Sequence, residues 1–367
     1  MDRTVIAALK SVEKGGISFC KFLSGNDTGM TGSHQCGIYI SKPSISILFD
    51  IPGTKGMNKD KWVDITWNSE FKTKSRFIYY GTGTRNEYRI THFGRGFSLI
   101  KPSHIGSLFI LSKVNENRYQ AFVLDLESQI DQFLSVLGLS SADTNKLILL
   151  NQPLFSNEFY YSEITKYLQS VEDLPPINAV CSEARNIFSR ASAENVIKQS
   201  NADDKIVEYV KIEYQIFRSI EQKIYGSILD KGSISKEFYG QAMTNLAKTR
   251  TGRASDSLTE HLLALLEPYC QSNIKLSEQK GVQKLDLQNN IDLIIKPTCV
   301  SDWSKGLTPT SKRSYLFTMQ QGMPPARIEE IFAGGFTLIV PEPYIPTYPS
   351  QYRQKILTLE QFLHLLS

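Results

Sequence analysis

The chain has little of what would place it outside the cell or in a membrane. Its 367 residues include only five cysteines, Cys20, Cys36, Cys181, Cys270 and Cys299. They are scattered, odd in number and without paired metal-ligand spacing, so neither a disulfide framework nor a zinc site is indicated. No run of about 20 apolar residues offers a membrane span. The opening MDRTVIAALKSVEKGG sets a short apolar stretch between charges, the pattern of an amphipathic helix and not of a signal peptide. A reduced, cytoplasmic protein is expected. A large excess of one charge is also missing. With 41 basic and 37 acidic residues the net charge is +4, so any nucleic-acid-binding surface must come from local clustering. Internal repeats and low-complexity tracts are absent, and the length suffices for two domains, each with its own core.

What is present divides into two styles. From about residue 17 to 125, short aromatic and β-branched segments (CGIYI, ISILFDI, RFIYY, SLFILSKV, YQAFVLDL) are punctuated by Gly, Asn, Asp and Ser, which predicts an all-β barrel or sandwich. ESQIDQFLSVLGL then carries apolar residues at helical spacing. A mixed stretch ending in EDLPPINAV reads as a linker. Beyond it, SEARNIFSRAS, DDKIVEYVKIEYQIFRSIEQKIYGSIL, SKEFYGQAMTNLAKT and SDSLTEHLLALLEPY read as helices. Strands and helices then alternate to the end, through QKLDL, IDLIIK, SYLFTMQ, PPARIEEIFAGG, FTLIVPE and TLEQFLHLL, which implies an α/β domain. The expected architecture is α+β and multidomain: a β pseudobarrel over residues 1–140, a linker over 141–175, and an α/β domain with helical insertions over 176–367.

Two places carry chemistry. Residues 72–101 hold Lys72, Lys74, Arg76, Arg85, Arg89, Arg95 and Lys101 against the single acid Glu87. Within that stretch TRNEYR offers arginine, asparagine and glutamate, the side chains that pair with guanine, adenine and cytosine edges in a major groove. A Gly-rich loop, SGNDTGMTGSHQ, ends in His34 and Gln35 and could bring its backbone close to phosphates. The second place is QKLDLQNNIDLIIKPTC, two strands joined by a polar turn. Metal-dependent phosphodiester hydrolysis needs carboxylates to hold Mg²⁺ and a lysine to orient the attacking water. Asp286 and Lys296 are expected to meet across the strand pair. Ile294 stands two residues before the lysine, where the common nuclease pattern has an acid. Trp303, His261 and Cys299 read as interior residues, and Asp292 as a solvent-facing acid near the turn.

LSGNDTGMTGSHQCGIYI and TRNEYRITHFGRG resemble the effector-DNA-binding pseudobarrel of EcoRII-type restriction endonucleases, a fold shared with a class of plant transcription factors. KTRTGRASDSLTEHLLALL, LIIKPTCVSDW, YLFTMQQG and FTLIVPE resemble the catalytic domain of the same family, in the same order, so the likeness spans nearly the whole chain. The resemblance implies a type II endonuclease that cuts double-stranded DNA with Mg²⁺. Its DNA-reading arms would be His34 and Gln35 on one side and Arg85, Asn86, Glu87 and Arg89 on the other, with Arg95 beside them. Its catalytic set would be Asp256, Asp286 and Lys296, with Asp256 and Asp286 on the metal. It further implies a homodimer, a cognate DNA methyltransferase, and a catalytic cleft covered by the N-terminal domain until effector DNA binds.

Two departures stand out. The family's glutamate about 13 residues after the lysine has no counterpart in SKGLTPTSKR, which Pro309 interrupts, and Ser301, Asp302 and Ser304 replace the arginines around Trp303. Asp292, Lys305 and Arg313 are candidates to supply what is missing. The rival reading is a sequence-specific DNA-binding protein whose nuclease domain no longer cuts.

Overall fold

The computed structural model describes residues 2–30, 37–137, 139–141, 144–148, 158–197, 201–230, 250, 252–270, 274–279, 282–287, 290–299, 303–304, 307 and 312–366. His34, Gln35, Lys305 and the segment SKEFYGQAMTNLAKT lie outside them.

The chain opens with α1 (Arg3–Lys14), whose first turn is capped by Asp2 accepting from the amides of Thr4 and Val5. Val5, Ala8 and Val12, spaced three and four apart, form its buried stripe. An eight-stranded sheet follows, built from β1 (Ser18–Phe22), β2 (Ile38–Ile40), β3 (Lys59–Trp67), β4 (Phe71–Tyr80), β5 (Glu87–Thr91), β6 (Leu108–Lys113), β7 (Arg118–Leu124) and β8 (Lys146–Ile148). Its order is β2-β5-β4-β3-β7-β6-β1-β8, and the sheet curls into a half-barrel. The pairs are antiparallel except β3 with β7. Asn68 and Ser69 take positive φ between β3 and β4, the tight connection that sets Trp67 against Phe71. One face buries Trp67 among Phe93, Phe97 and Phe109. The other is covered by α1 and by α2 (Glu127–Leu137), through Ile130, Phe133 and Leu134.

A helical layer comes next: α3 (Glu158–Gln169), α4 (Ile177–Ala193) and α5 (Ala202–Asp230), joined by a shared apolar cluster that includes Ile164, Ile187 and Ile212. Then α6 (Arg253–Cys270) lays Leu258, Leu262 and Leu266 on a five-stranded sheet. That sheet is ordered β13-β12-β11-β10-β9, from β9 (Lys275–Gln279), β10 (Val282–Leu287), β11 (Ile291–Lys296), β12 (Arg313–Thr318) and β13 (Phe336–Ile339). β9, β10 and β11 form an antiparallel meander, whereas β11, β12 and β13 run parallel. The helix α7 (Pro325–Ala333) lies between β12 and β13 in the chain, as a parallel crossover requires. The short α8 (Leu359–His364) closes the chain with a capping box at Thr358. β11 is buried at all six positions, as a strand covered on both faces should be.

Residues 141–175, expected to be a linker, are structured at both ends. β8 pairs with β1 and so completes the N-terminal sheet. α3 joins the helical layer through Tyr160 and Ile164. Among the described residues no helix is long and apolar enough to cross a membrane.

Candidate active site and nucleic-acid interface

The β10–β11 hairpin is tight, and its register decides what meets what. Asp286 stands opposite Asp292, and Gln283 opposite Ile295. Lys296 lies four residues beyond Asp292, roughly 13 Å along the strand at ~3.3 Å per residue. Asp286 and Lys296 therefore do not meet across the pair. So short a connection leaves Asp286 one residue from the end of its strand, beside the turn. There its carboxylate receives Lys312 Nζ at 2.6 Å. Asp292, expected to face solvent, is buried instead. It takes Lys284 Nζ at 2.7 Å and Lys312 Nζ at 3.5 Å. The hydrogen bond to Asp286, reinforced by both carboxylate charges, raises the pKa of Lys312. Two aspartates and two lysines thus form a charged cluster.

At the opposite end Lys296 is buried, and Nζ donates to the Trp303 carbonyl at 2.6 Å and to Glu127 Oε2 at 2.9 Å. Glu127 belongs to the first turn of α2, in the N-terminal half. A second contact of the same kind runs from Thr298 Oγ1 to Asp131 Oδ1 at 3.2 Å. Glu127, Asp131, Ser135, Ser255 and Lys296 border a cavity of about 140 Å³. An uncompensated lysine here would be costly to bury, and Glu127 supplies the compensating charge.

The other wall of this end is the head of α6. Gly252, at φ +76°, makes the turn into the helix, and the Asp256 amide closes on its carbonyl at 3.1 Å. Asp256 Oδ1 accepts from Gln283 Nε2 at 3.0 Å. Gln283 is itself buried, and its Oε1 finds no hydrogen-bond donor among the described residues. Arginines just before and at the start of α6 act as anchors. Arg250 grips Glu221 at 2.7 and 2.6 Å and also donates to the Val136 carbonyl, while Arg253 pairs with buried Glu213 and lies over the Phe217 ring. Glu260, one turn past Asp256, offers its carbonyl to Arg185. His261 is interior as expected. Burial, with Arg185 and Arg253 nearby, lowers its pKa to about 3 and keeps it neutral. Cys299 is buried too, its thiol pushed up to about 12 by desolvation. Trp303 packs edge-on against Phe336 and donates Nε1 to Glu330.

In the N-terminal half the described reader residues split into two groups. Arg85 is exposed and lies over the Tyr80 ring, 5.2 Å from its centroid. Lys55 Nζ braces that turn by donating to the carbonyls of Gly83 and Arg85. Asn86 is exposed and accepts from Tyr79 Oη at 3.1 Å, and Arg95 is exposed between Gly94 and Gly96, both at positive φ. Arg89, by contrast, is buried. It donates to the Gly37 carbonyl at 2.9 Å and to Glu87 Oε2 at 3.2 Å, and so ties β5 to the segment entering β2. The sequence reading missed Glu127, Asp131 and Gln283. Nothing in a linear stretch marks a partner 169 residues away, and Gln283 looks like any polar residue beside a turn.

Residues 12–139 match the family model described as restriction endonuclease EcoRII, N-terminal, and residues 284–363 the one described as EcoRII C terminal. The type II restriction enzyme EcoRII of Escherichia coli is 25% identical over 401 aligned positions, covering 94% of this chain and 92% of that protein. Two solved structures of metal-depleted Ecl18kI are also similar, one with uncleaved DNA and one with uncleaved, modified DNA. They have a TM-score of 0.40, are 15% and 16% identical, and cover 57% of this chain and 82% of theirs. With both halves matched in order and the likeness running almost end to end, the chain belongs to the EcoRII-like type II restriction endonucleases.

Proposed function

We propose that this protein is a type II site-specific deoxyribonuclease that hydrolyses double-stranded DNA at the Lys296 end of the β10–β11 hairpin. The single observation that carries this location is the seat of Lys296, a buried ammonium at a strand end, bordering a polar cavity and held by a carboxylate from another domain. There its charge can orient a water or stabilise a phosphate oxygen. Mg²⁺ is the metal we infer, and the residues fit it. Asp256 presents a carboxylate beside a buried, unsatisfied oxygen of Gln283, the hard donor chemistry such a cation takes. When bound, the cation would supply Lewis-acid charge at the scissile phosphate and lower the pKa of a water. Asp286 fits less well, since Lys312 already occupies its carboxylate.

The N-terminal half reads DNA in this proposal through exposed Arg85, Asn86 and Arg95, with His34 and Gln35 on the facing arm. Arg89 and Glu87 hold the reading strand in place. The contact between Glu127 and Lys296 is then a closed state. A DNA phosphate cannot approach Lys296 until the Glu127 carboxylate leaves, and effector DNA on the N-terminal half would draw α2 away. A homodimer and a methyltransferase that protects the host's own sites complete the reading, and its place of work is the cytoplasm.

The second reading, a DNA-binding protein that does not cut, has a specific observation in its favour. Among the described residues no three His, Cys, Asp or Glu side chains gather as a metal site. Incubating unmethylated phage DNA with Mg²⁺ and either wild type or Lys296→Ala separates the two. Discrete fragments from wild type alone support the nuclease. Retardation without cleavage, in Mg²⁺ and in Mn²⁺, supports the binding protein.

A further inference from the structure

β10 sends alternate side chains to the face covered by α6, and that row is Gln283, Leu285 and Leu287. Leu285 and Leu287 pack into the apolar core, as the position dictates. Gln283 breaks the row with an amide that is only 8% exposed. Its Nε2 is fixed by Asp256 at 3.0 Å, since only the N–H side of an amide can face a carboxylate oxygen. That leaves Oε1 as a buried acceptor with no donor among the described residues. A buried carbonyl oxygen left unsatisfied is destabilising, so a water or a bound ion is expected to serve it.

The surroundings narrow the ligand's chemistry. Asp256 and Gln283 together present two hard oxygen types, one carboxylate and one amide carbonyl. Ser255, the chain neighbour of Asp256 in the first turn of α6, lines the cavity that Lys296 borders. Magnesium and manganese ions take such oxygens, keep several waters, and need only one or two carboxylates when a phosphate completes the shell. The acidic end of the hairpin has more carboxylates, but Lys284 and Lys312 neutralise them.

We infer that Gln283, through Oε1, joins Asp256 as a protein ligand of a divalent cation in this nuclease, an inference that rests on the proposed metal-dependent function. With one formal charge in the pair, the protein without DNA holds the cation weakly. A second carboxylate at residue 283 strengthens the site.

The test is Mn²⁺ binding by the DNA-free full-length protein, read from the loss of the free ion's electron paramagnetic resonance signal. Wild type, Gln283→Glu, Gln283→Leu and Asp286→Asn are compared. Gln283→Glu should bind about tenfold more tightly than wild type, Gln283→Leu about tenfold more weakly, and Asp286→Asn should match wild type. If Gln283→Leu fails to fold, the gain in Gln283→Glu still decides the matter. Equal binding by wild type and Gln283→Glu, or no binding by either, overturns the inference. The nuclease reading fails separately. Mn²⁺ binding that follows residue 283 in a protein that never cuts DNA upholds the ligand and refutes the enzyme. Cleavage by wild type with Mn²⁺ binding indifferent to residue 283 does the reverse.

Discussion

The two ends of one short hairpin contrast sharply. Near the turn, Asp286 and Asp292 face each other and are met by Lys284 and Lys312. At the far end, among the described residues, the charge of Lys296 is met by Glu127, from a helix of the N-terminal half, and Asp256 has a glutamine for company. The acidic end is met by lysines from its own half of the chain, whereas the lysine end is met by a carboxylate from the N-terminal half. A site that must open to a phosphodiester is expected where the balancing group can be withdrawn, and a carboxylate on a separate domain can be. Counting acids alone would favour the turn over the end we propose.

The largest expected effect that would break this contrast is at Lys296. Lys296→Ala should lower the cleavage rate by about 10²- to 10⁴-fold, the range for losing a positioned catalytic group. Single-turnover digestion of one DNA substrate reads it directly, and an unchanged rate would move the site elsewhere. The next is at Glu127. Glu127→Gln should raise the rate in the absence of effector DNA by about 5- to 150-fold, as for a coupling of 1–3 kcal/mol between sites. Adding effector oligonucleotide should then accelerate the variant less than wild type.

A smaller effect sharpens the contrast through α6, the helix that carries Asp256. His261, on the same helix, is held neutral with a pKa near 3, against 6.5 when solvated. The unfolded chain therefore binds the proton first as pH falls. Stability from this group is full above about pH 6.5 and is lost progressively toward pH 3. Within that window it contributes a slope of at most about 1.4 kcal/mol per pH unit. Urea unfolding of wild type against His261→Gln should show a shallower acid limb in the variant.

Much of the fold was legible because its signals are local. The aromatic and β-branched segments became the curled sheet, and the strand-helix alternation after residue 282 became β10 to α8. The region 141–175 was not, because a three-residue strand such as β8 carries too little pattern to separate from a loop. At the site, Lys296 was legible from the carboxylate-and-lysine chemistry of the hairpin, and Asp256 only through resemblance to a family. Their neighbours depend on tertiary contacts and on a register fixed by a tight turn, which no stretch of residues announces. Arg89 shows the same limit. Its charge suggested a base contact, yet the alternation in EYRIT gives way to a strand in which Tyr88, Arg89 and Ile90 are all buried.

The most direct test of the central claim sets the two ends of the hairpin against each other. Single-turnover cleavage of unmethylated DNA in Mg²⁺ should fall by about 10²-fold or more in Asp256→Asn and by less than about threefold in Asp286→Asn. Loss of cleavage in Asp286→Asn, with Asp256→Asn still active, would contradict the account and place the chemistry at the turn.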